Sequence, residues 1–192
     1  PAEASRRFAE AYRLGPNLDS AVRSWGAAQA AGQQPDPALL DDWLKRNPDD
    51  VRAQRVAGDL FFAAGLTDRA QRSYESIIEV QPKDVPALNN LAWIYGEAGD
   101  VRALQMADRV LREAPDAPAV LDTVGWVQLR LGDKAKGAAL IERAAAAAPD
   151  VPDIQYHKAV ALMETGRQAE GRQLLESLLA SGQPFPGRDD AA

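Results

Sequence analysis

The sequence predicts an all-α protein, a solenoid of antiparallel helix pairs stacked one after another. Three observations carry that prediction. Pro16, Pro48, Pro82, Pro115 and Pro149 recur at spacings of 32, 34, 33 and 34 residues. Between Asp84 and Asp150 one pattern is written twice, as DVPALNNLAWIYGEAGDVRALQMADRVLREAP and DAPAVLDTVGWVQLRLGDKAKGAALIERAAAAAP. Alternation of period two never persists, so no strand is expected. A fixed period of this length with two helices per unit marks a helical repeat array, in which each unit buries its apolar face only against its neighbours.

Residues 1–15 read as one helix with Phe8, Ala11, Tyr12 and Leu14 on one face, ended by Gly15-Pro16. It matches the second helix of a pair whose first helix would lie upstream. Residues 17–48 read as a degenerate repeat: a helix from Leu18 to Ala31, a loop from Gly32 to Pro37, and a helix from Ala38 to Arg46 that carries Leu39, Leu40, Trp43 and Leu44. This unit is short of the period and carries a long loop, so distorted packing is expected over 17–48; residues 1–48 together form a degenerate leading helix and irregular repeat. Four regular units follow at 49–82, 83–115, 116–149 and 150–182. Residues 183–192 hold two prolines and no periodicity, and are expected to form a flexible tail or the start of a further helix.

Four positions organise each regular unit. Gly58, Ala92, Gly125 and Ala159 stand at the eighth position of the first helix, where a residue without bulk lets the paired helices approach. Gly65, Gly99, Gly132 and Gly166 sit at the turn, where a left-handed residue costs least as glycine. Ala70, Ala103, Gly137 and Gly171 open the second helix. The closing proline cannot continue a helix. After it, Asp84, Asp116 and Asp150 are expected to cap the next helix, with Pro86, Pro118 and Pro152 tolerated in its first turn. Lys158 breaks the apolar series Ala57, Leu91 and Val124. Either its stem snorkels out of the pair interface, or the last pair packs less tightly.

Composition narrows the function. Apolar residues make up 46% of the 192, much of it Ala, and aromatics only 6%, which suits close helix contacts more than one large core. A net charge of −6 disfavours a nucleic-acid partner. No cysteine is present, which removes disulfides, thiolate chemistry and cysteine metal sites and fits cytosol or periplasm equally. No run of 18 apolar residues spans a membrane. The chain opens inside a repeat without an initiator Met, so a targeting region is expected upstream. No HExxH, phosphate-binding glycine loop or GxSxG occurs. His157, the lone histidine, is expected at a surface or groove position rather than as a ligand or base. Catalysis, a cofactor and a bound metal are all unexpected.

On Leu91, Ala92, Tyr95, Ala103 and Pro115, and again on Val124, Gly125, Ile141, Ala144 and Pro149, the chain resembles the tetratricopeptide repeat family. The likeness is close over 49–182 and looser over 1–48. It implies a right-handed superhelix whose first helices line a concave groove. The runs LNNLAWIYGEAGDVRALQMADRVLREAPDAPAVLDTVGWV and PDIQYHKAVALMETGRQAEGRQLLESLLASGQPF also resemble the C-terminal repeats of bacterial tetratricopeptide lipoproteins encoded with exosortase (PEP-CTERM) and exopolysaccharide export systems. That likeness implies a periplasmic protein anchored to an envelope membrane through a region before Pro1. Composition alone leaves the cytoplasm open.

Carried onto this chain, the groove would be lined by Arg52, Arg55 and Asp59; Asn89, Asn90, Trp93 and Glu97; Asp122, Thr123, Trp126 and Arg130; and Tyr156, His157 and Glu164. Amides can hydrogen-bond an extended peptide or sugar hydroxyls. Trp93 and Trp126 either offer stacking faces to a ligand or pack between successive repeats. Rings open to the groove would favour a polysaccharide, and buried rings a protein or peptide partner. The family's carboxylate clamp is disfavoured. Arg55 and Asn90 match it, but Asp59 puts an acid in the pocket, and Ala119 and Thr123 replace its basic residues. The expected function is a non-catalytic protein-interaction scaffold in an envelope assembly. Direct carbohydrate binding and a regulatory arm of a larger enzyme are the alternatives, and self-association through exposed end repeats is also compatible.

Overall fold

A computed structural model of the chain describes residues 2–185 and residue 188. Among these residues eleven α-helices follow one another and no strand forms. The chain divides into two units, Pro1–Pro82 and Lys83–Ala192.

The first unit contains α1 (Ala2–Leu14), α2 (Leu18–Ala30), α3 (Ala38–Arg46), α4 (Val51–Ala63) and α5 (Thr67–Val80). The sequence pairs α2 with α3, but α2 packs chiefly on α1. Ser5 Oγ donates to Ser24 O at 3.0 Å and Ser24 Oγ to Ser5 O at 3.1 Å, two small residues that let the helices close. With only nine residues, α3 is the shortest helix described, and the loop before it carries two prolines, so it offers α2 little surface. Polar links hold it instead. The Tyr12 hydroxyl donates to Asp42 at 2.8 Å, and Arg69 on α5 donates to Asp41 at 3.0 Å. Trp25 on α2 meets Phe61 on α4 edge to face at 5.7 Å.

The second unit holds α6 (Val85–Glu97), α7 (Arg102–Glu113), α8 (Pro118–Leu131), α9 (Lys134–Ala147), α10 (Pro152–Glu164) and α11 (Gln168–Ser181). They pair as α6–α7, α8–α9 and α10–α11, and α8 also packs on α6 and α10. Every residue of α8 from Val120 to Leu129 is therefore buried. The closest contact is between α8 and α9. A Cβ on Gly137 would fall 2.6 Å from both Gly125 O and Leu129 N, and one on Gly125 would fall 2.6 Å from Ile141 Cγ1. The two glycines are opposite sides of a single backbone contact.

Local punctuation departs from expectation at three aspartate and glycine positions. Asp84 caps α6 by accepting from Ala87 N at 2.9 Å, but Asp116 and Asp150 cap nothing. In α8 and α10 the helix starts one residue later, on the proline itself. The residue before it is extended, as a pre-proline residue prefers, which moves the aspartate out of reach. The turn glycines Gly65, Gly99 and Gly166 have positive φ, but Gly132 does not. Its missing side chain makes room for Gln128 instead, whose Oε1 accepts from Asp133 N at 3.2 Å. Lys158 is half-buried on α10, and after the Arg167 hydrogen bond its charge helps hold the Glu170 carboxyl below the usual range, which fits a snorkelling stem.

Beyond α11, the sequence expects a loose tail. Phe185 is nevertheless packed at 7% exposure. Residues 186, 187 and 189–192 of that tail lie outside the described residues.

Replacing Gly137 by Ala forces backbone apart and is expected to cost about 1–3 kcal/mol in urea unfolding. Gly26→Ala, on an open face of α2 with no atom within 4 Å of the new Cβ, should be neutral or stabilising by up to about 1 kcal/mol. Equal effects would contradict the close-contact account.

Burial, then the bond to Asp42, pushes the Tyr12 hydroxyl up from 10.0 to about 12. Asp42 is held low, first by Tyr12 and then by Arg46. The fold favours neutral tyrosine, so its contribution is whole below pH 10 and lost as pH rises towards 12. Tyr12→Phe should be less stable at neutral pH and lose less stability than wild type across that alkaline window, as measured by denaturant titration at each pH.

Candidate functional site

Burial of α8 fixes Trp126 in the middle of the second unit. Its ring lies over Leu129, Ala138, Ile141 and Ala161, with Trp93 and Val160 against the cluster. Trp93 on α6 stacks 6.2 Å away at 19°, and His157 on α10 lies 4.4 Å away at 30°. Both neighbouring helices thus place a ring against Trp126, which is left 8% exposed. Its indole N–H still finds a partner, donating to Glu97 Oε1 at 2.8 Å, and the Arg130 guanidinium stands 5.7 Å from its ring. A buried indole that keeps its hydrogen bond gains the burial of its rings without an unsatisfied donor.

His157 is held on its other side. Its Nδ1–H donates to Asp122, 2.8 Å from Oδ2 and 3.0 Å from Oδ1, across the junction of α8 and α10. The sequence predicts a surface or groove histidine, yet the side chain is 3% exposed, because Asp122 satisfies its nitrogen in the interior. Among the described residues no group of three or more His, Cys, Asp or Glu side chains clusters as a metal site. The His–Asp pair acts as a strut between repeats.

The other predicted groove residues divide by exposure. In the second unit Asp122 and Thr123 are buried with Trp126 and His157, whereas Asn89, Asn90, Trp93 and Tyr156 are half-buried, and Glu97 and Arg130 are exposed. Asn89 lies one turn before Trp93 and shares its face; its Oδ1 is buried with no hydrogen-bond partner. Glu164 is exposed and bonded to Lys134 at 2.7 Å. The accessible part of this face therefore combines Asn89, Asn90, Glu97 and Arg130 with the half-buried rings of Trp93 and Tyr156. In the first unit Arg52 and Asp59 are exposed and Arg55 half-buried, with Asp59 accepting from the Tyr74 hydroxyl at 2.8 Å.

One residue of this face is absent from the sequence-based set. Phe185 stacks on Tyr156 at 5.4 Å and extends the row of rings beyond α10. Its only sequence signal is an aromatic residue between two prolines in an otherwise featureless stretch.

Two family models described as tetratricopeptide repeat match residues 73–105 and 125–187. A tetratricopeptide repeat protein from Parabacteroides merdae superposes with a TM-score of 0.73 at 14% identity, covering 94% of this chain and 73% of its own. A thermophilic protein of the same repeat class from Thermus thermophilus gives 0.61 at 20% identity, covering 93% and 89%. Among curated proteins, the uncharacterized protein ycf37 of Pyropia yezoensis is 44% identical over 57 residues, which is 29% of this chain and 32% of its own length. The likeness thus spans about a third of that relative. The structural likenesses speak to the fold.

Asp122→Ala leaves the His157 nitrogen buried without its acceptor and is expected to cost about 1–3 kcal/mol of stability. Glu164→Ala, which breaks an exposed pair, should change stability by no more than about 0.5 kcal/mol. Denaturant unfolding of both variants checks the strut; a neutral Asp122→Ala would remove it.

Proposed function

The chain is a tetratricopeptide repeat protein, and from that premise we propose that it is a non-catalytic scaffold holding a protein partner on the α6–α8–α10 face of its second unit. Repeats of this class generally serve as protein-interaction scaffolds. The observation that carries the choice of partner is the burial of Trp126. A sugar ring stacks on an open aromatic face, and here the Trp126 ring is only 8% exposed, with Trp93 and His157 both packed against it. The polar rim of Asn89, Asn90, Glu97 and Arg130 supplies amide, carboxylate and guanidinium groups that suit an extended peptide backbone and its side chains. Because α8 and α10 are pinned by a buried hydrogen-bonded strut, the face is preformed, and little ordering cost falls on binding.

The narrower reading places this scaffold in a bacterial envelope assembly for exopolysaccharide or exosortase-linked export. What supports it is the likeness of residues 88–127 and of the last repeat to the lipoproteins of those systems. No helix among the described residues is long and apolar enough to cross a membrane.

One experiment addresses both levels. The tagged full-length protein is expressed in its native bacterium, the cells are fractionated, and bound proteins are recovered from each fraction. Recovery in the envelope fraction, with a specific protein lost in Asn89→Ala/Asn90→Ala and kept in Arg112→Ala on the outer helix α7, is the expected result. A purely cytosolic protein would overturn the envelope placement alone. A partner retained by the double variant and lost by Arg112→Ala would overturn the assigned face.

A further inference from the structure

After α11 the chain turns at Gly182, whose φ of 73° is left-handed, and comes back over the second unit. Phe185 then lies against Tyr156, which stands 5.8 Å from His157. Rings thus follow one another as Trp93, Trp126, His157, Tyr156 and Phe185. The first four are carried by helices. The fifth comes from the segment after Gly182, where Gln183 N donates to Ser181 Oγ at 3.2 Å and Arg188 supplies further contacts. That guanidinium donates to Gln183 O at 2.6 Å and to Leu179 O at 3.4 Å, and lies 5.9 Å from the Phe185 ring. In sequence Phe185 stands between Pro184 and Pro186, which lack the N–H groups that would lock the segment into a helix or a ladder.

We propose that Tyr156 forms a subsite for an aromatic side chain on an extended, proline-flanked peptide, and that Phe185 is its built-in occupant, displaced when a partner docks. The inference rests on the scaffold reading above and names the chemistry that reading leaves open. The resident segment itself defines the ligand class. The ring separation of 5.4 Å with a 31° tilt falls within the range of favourable aromatic pairs, so another Phe, Tyr or Trp would reproduce it. A tether this short holds Phe185 at an effective concentration in the millimolar range. A competing peptide with one ring and no other contacts therefore loses. A partner that also engages the rim at Asn89, Glu97 and Arg130 wins. The tail thereby makes the face selective for partners that bind at several points.

The test uses the whole chain in three forms: wild type, Phe185→Ala, and a chain ending at Gly182. The probe is the capped peptide Gln-Pro-Phe-Pro-Gly-Arg at millimolar concentration, followed by shifts of the α10 amide signals in NMR spectra. The expected result is binding to both altered chains and binding at least about tenfold weaker to wild type. Tyr156→Ala in the shortened chain should abolish it, and so should alanine at the peptide's phenylalanine position. Equal binding to wild type overturns the displacement. No binding to either altered chain, with both still folded by circular dichroism, reduces Phe185 to a structural cap and overturns the subsite. A shortened chain that pairs with itself and ignores the peptide assigns Tyr156 to a second copy and also overturns it. None of these outcomes depends on capturing a partner, so loss of the scaffold reading would register separately in the cell fractionation.

Discussion

The second unit depends on the backbone contact between Gly125 and Gly137. Neither position has room for a Cβ, so α8 and α9 close to a separation that any other residue pair would prevent. That closeness lets α8 be covered by α9 while α6 and α10 flank it, until ten consecutive residues are buried. A helix enclosed to that degree cannot shift without disturbing all its neighbours, because interiors are close-packed. The positions of Trp126 and Asp122, and through them the rest of the face, follow from it.

Enclosure creates a second constraint, since α8 carries polar groups into the interior. Trp126 and Asp122 reach it with a donor and a carboxylate that must be satisfied there. Each solves this across a repeat boundary, Trp126 to Glu97 on α6 and Asp122 to His157 on α10. The hydrogen bonds that satisfy α8 are therefore also the ones that fix its neighbours. Rigidity of the face is a consequence of burying polar groups in the middle helix, and a preformed face is what a scaffold needs.

Much of this was legible because prolines and glycines punctuate the helices. The span of α3 is read correctly from sequence, as are the left-handed turns at Gly65, Gly99 and Gly166. What was not legible depends on one-residue shifts or on distant partners. Asp116 and Asp150 look like caps, but α8 and α10 start on the proline while α6 starts one residue before its own, and a pattern common to three repeats hides that difference. Gly132 looks like its three counterparts, yet a side chain four residues earlier occupies the space beside it. His157 is unexceptional in its own helix, and its burial becomes intelligible only through Asp122, 35 residues away. Trp93 and Trp126 are open to two readings in sequence, and their packing against His157 on a third helix is not visible from either repeat alone. Phe185 had no periodic pattern to announce it.

The central claim is that the α6–α8–α10 side of the second unit is a rigid, preformed docking face. Hydrogen–deuterium exchange of the full chain, alone and with a recovered partner, tests it most directly. The account predicts that α8 amides exchange slowest in the free chain, and that the partner adds protection around Asn89, Trp93, Glu97 and Arg130 while α7 and α9 stay unchanged. Fast exchange throughout α8 in the free chain, or partner protection confined to α7 and α9, would contradict it.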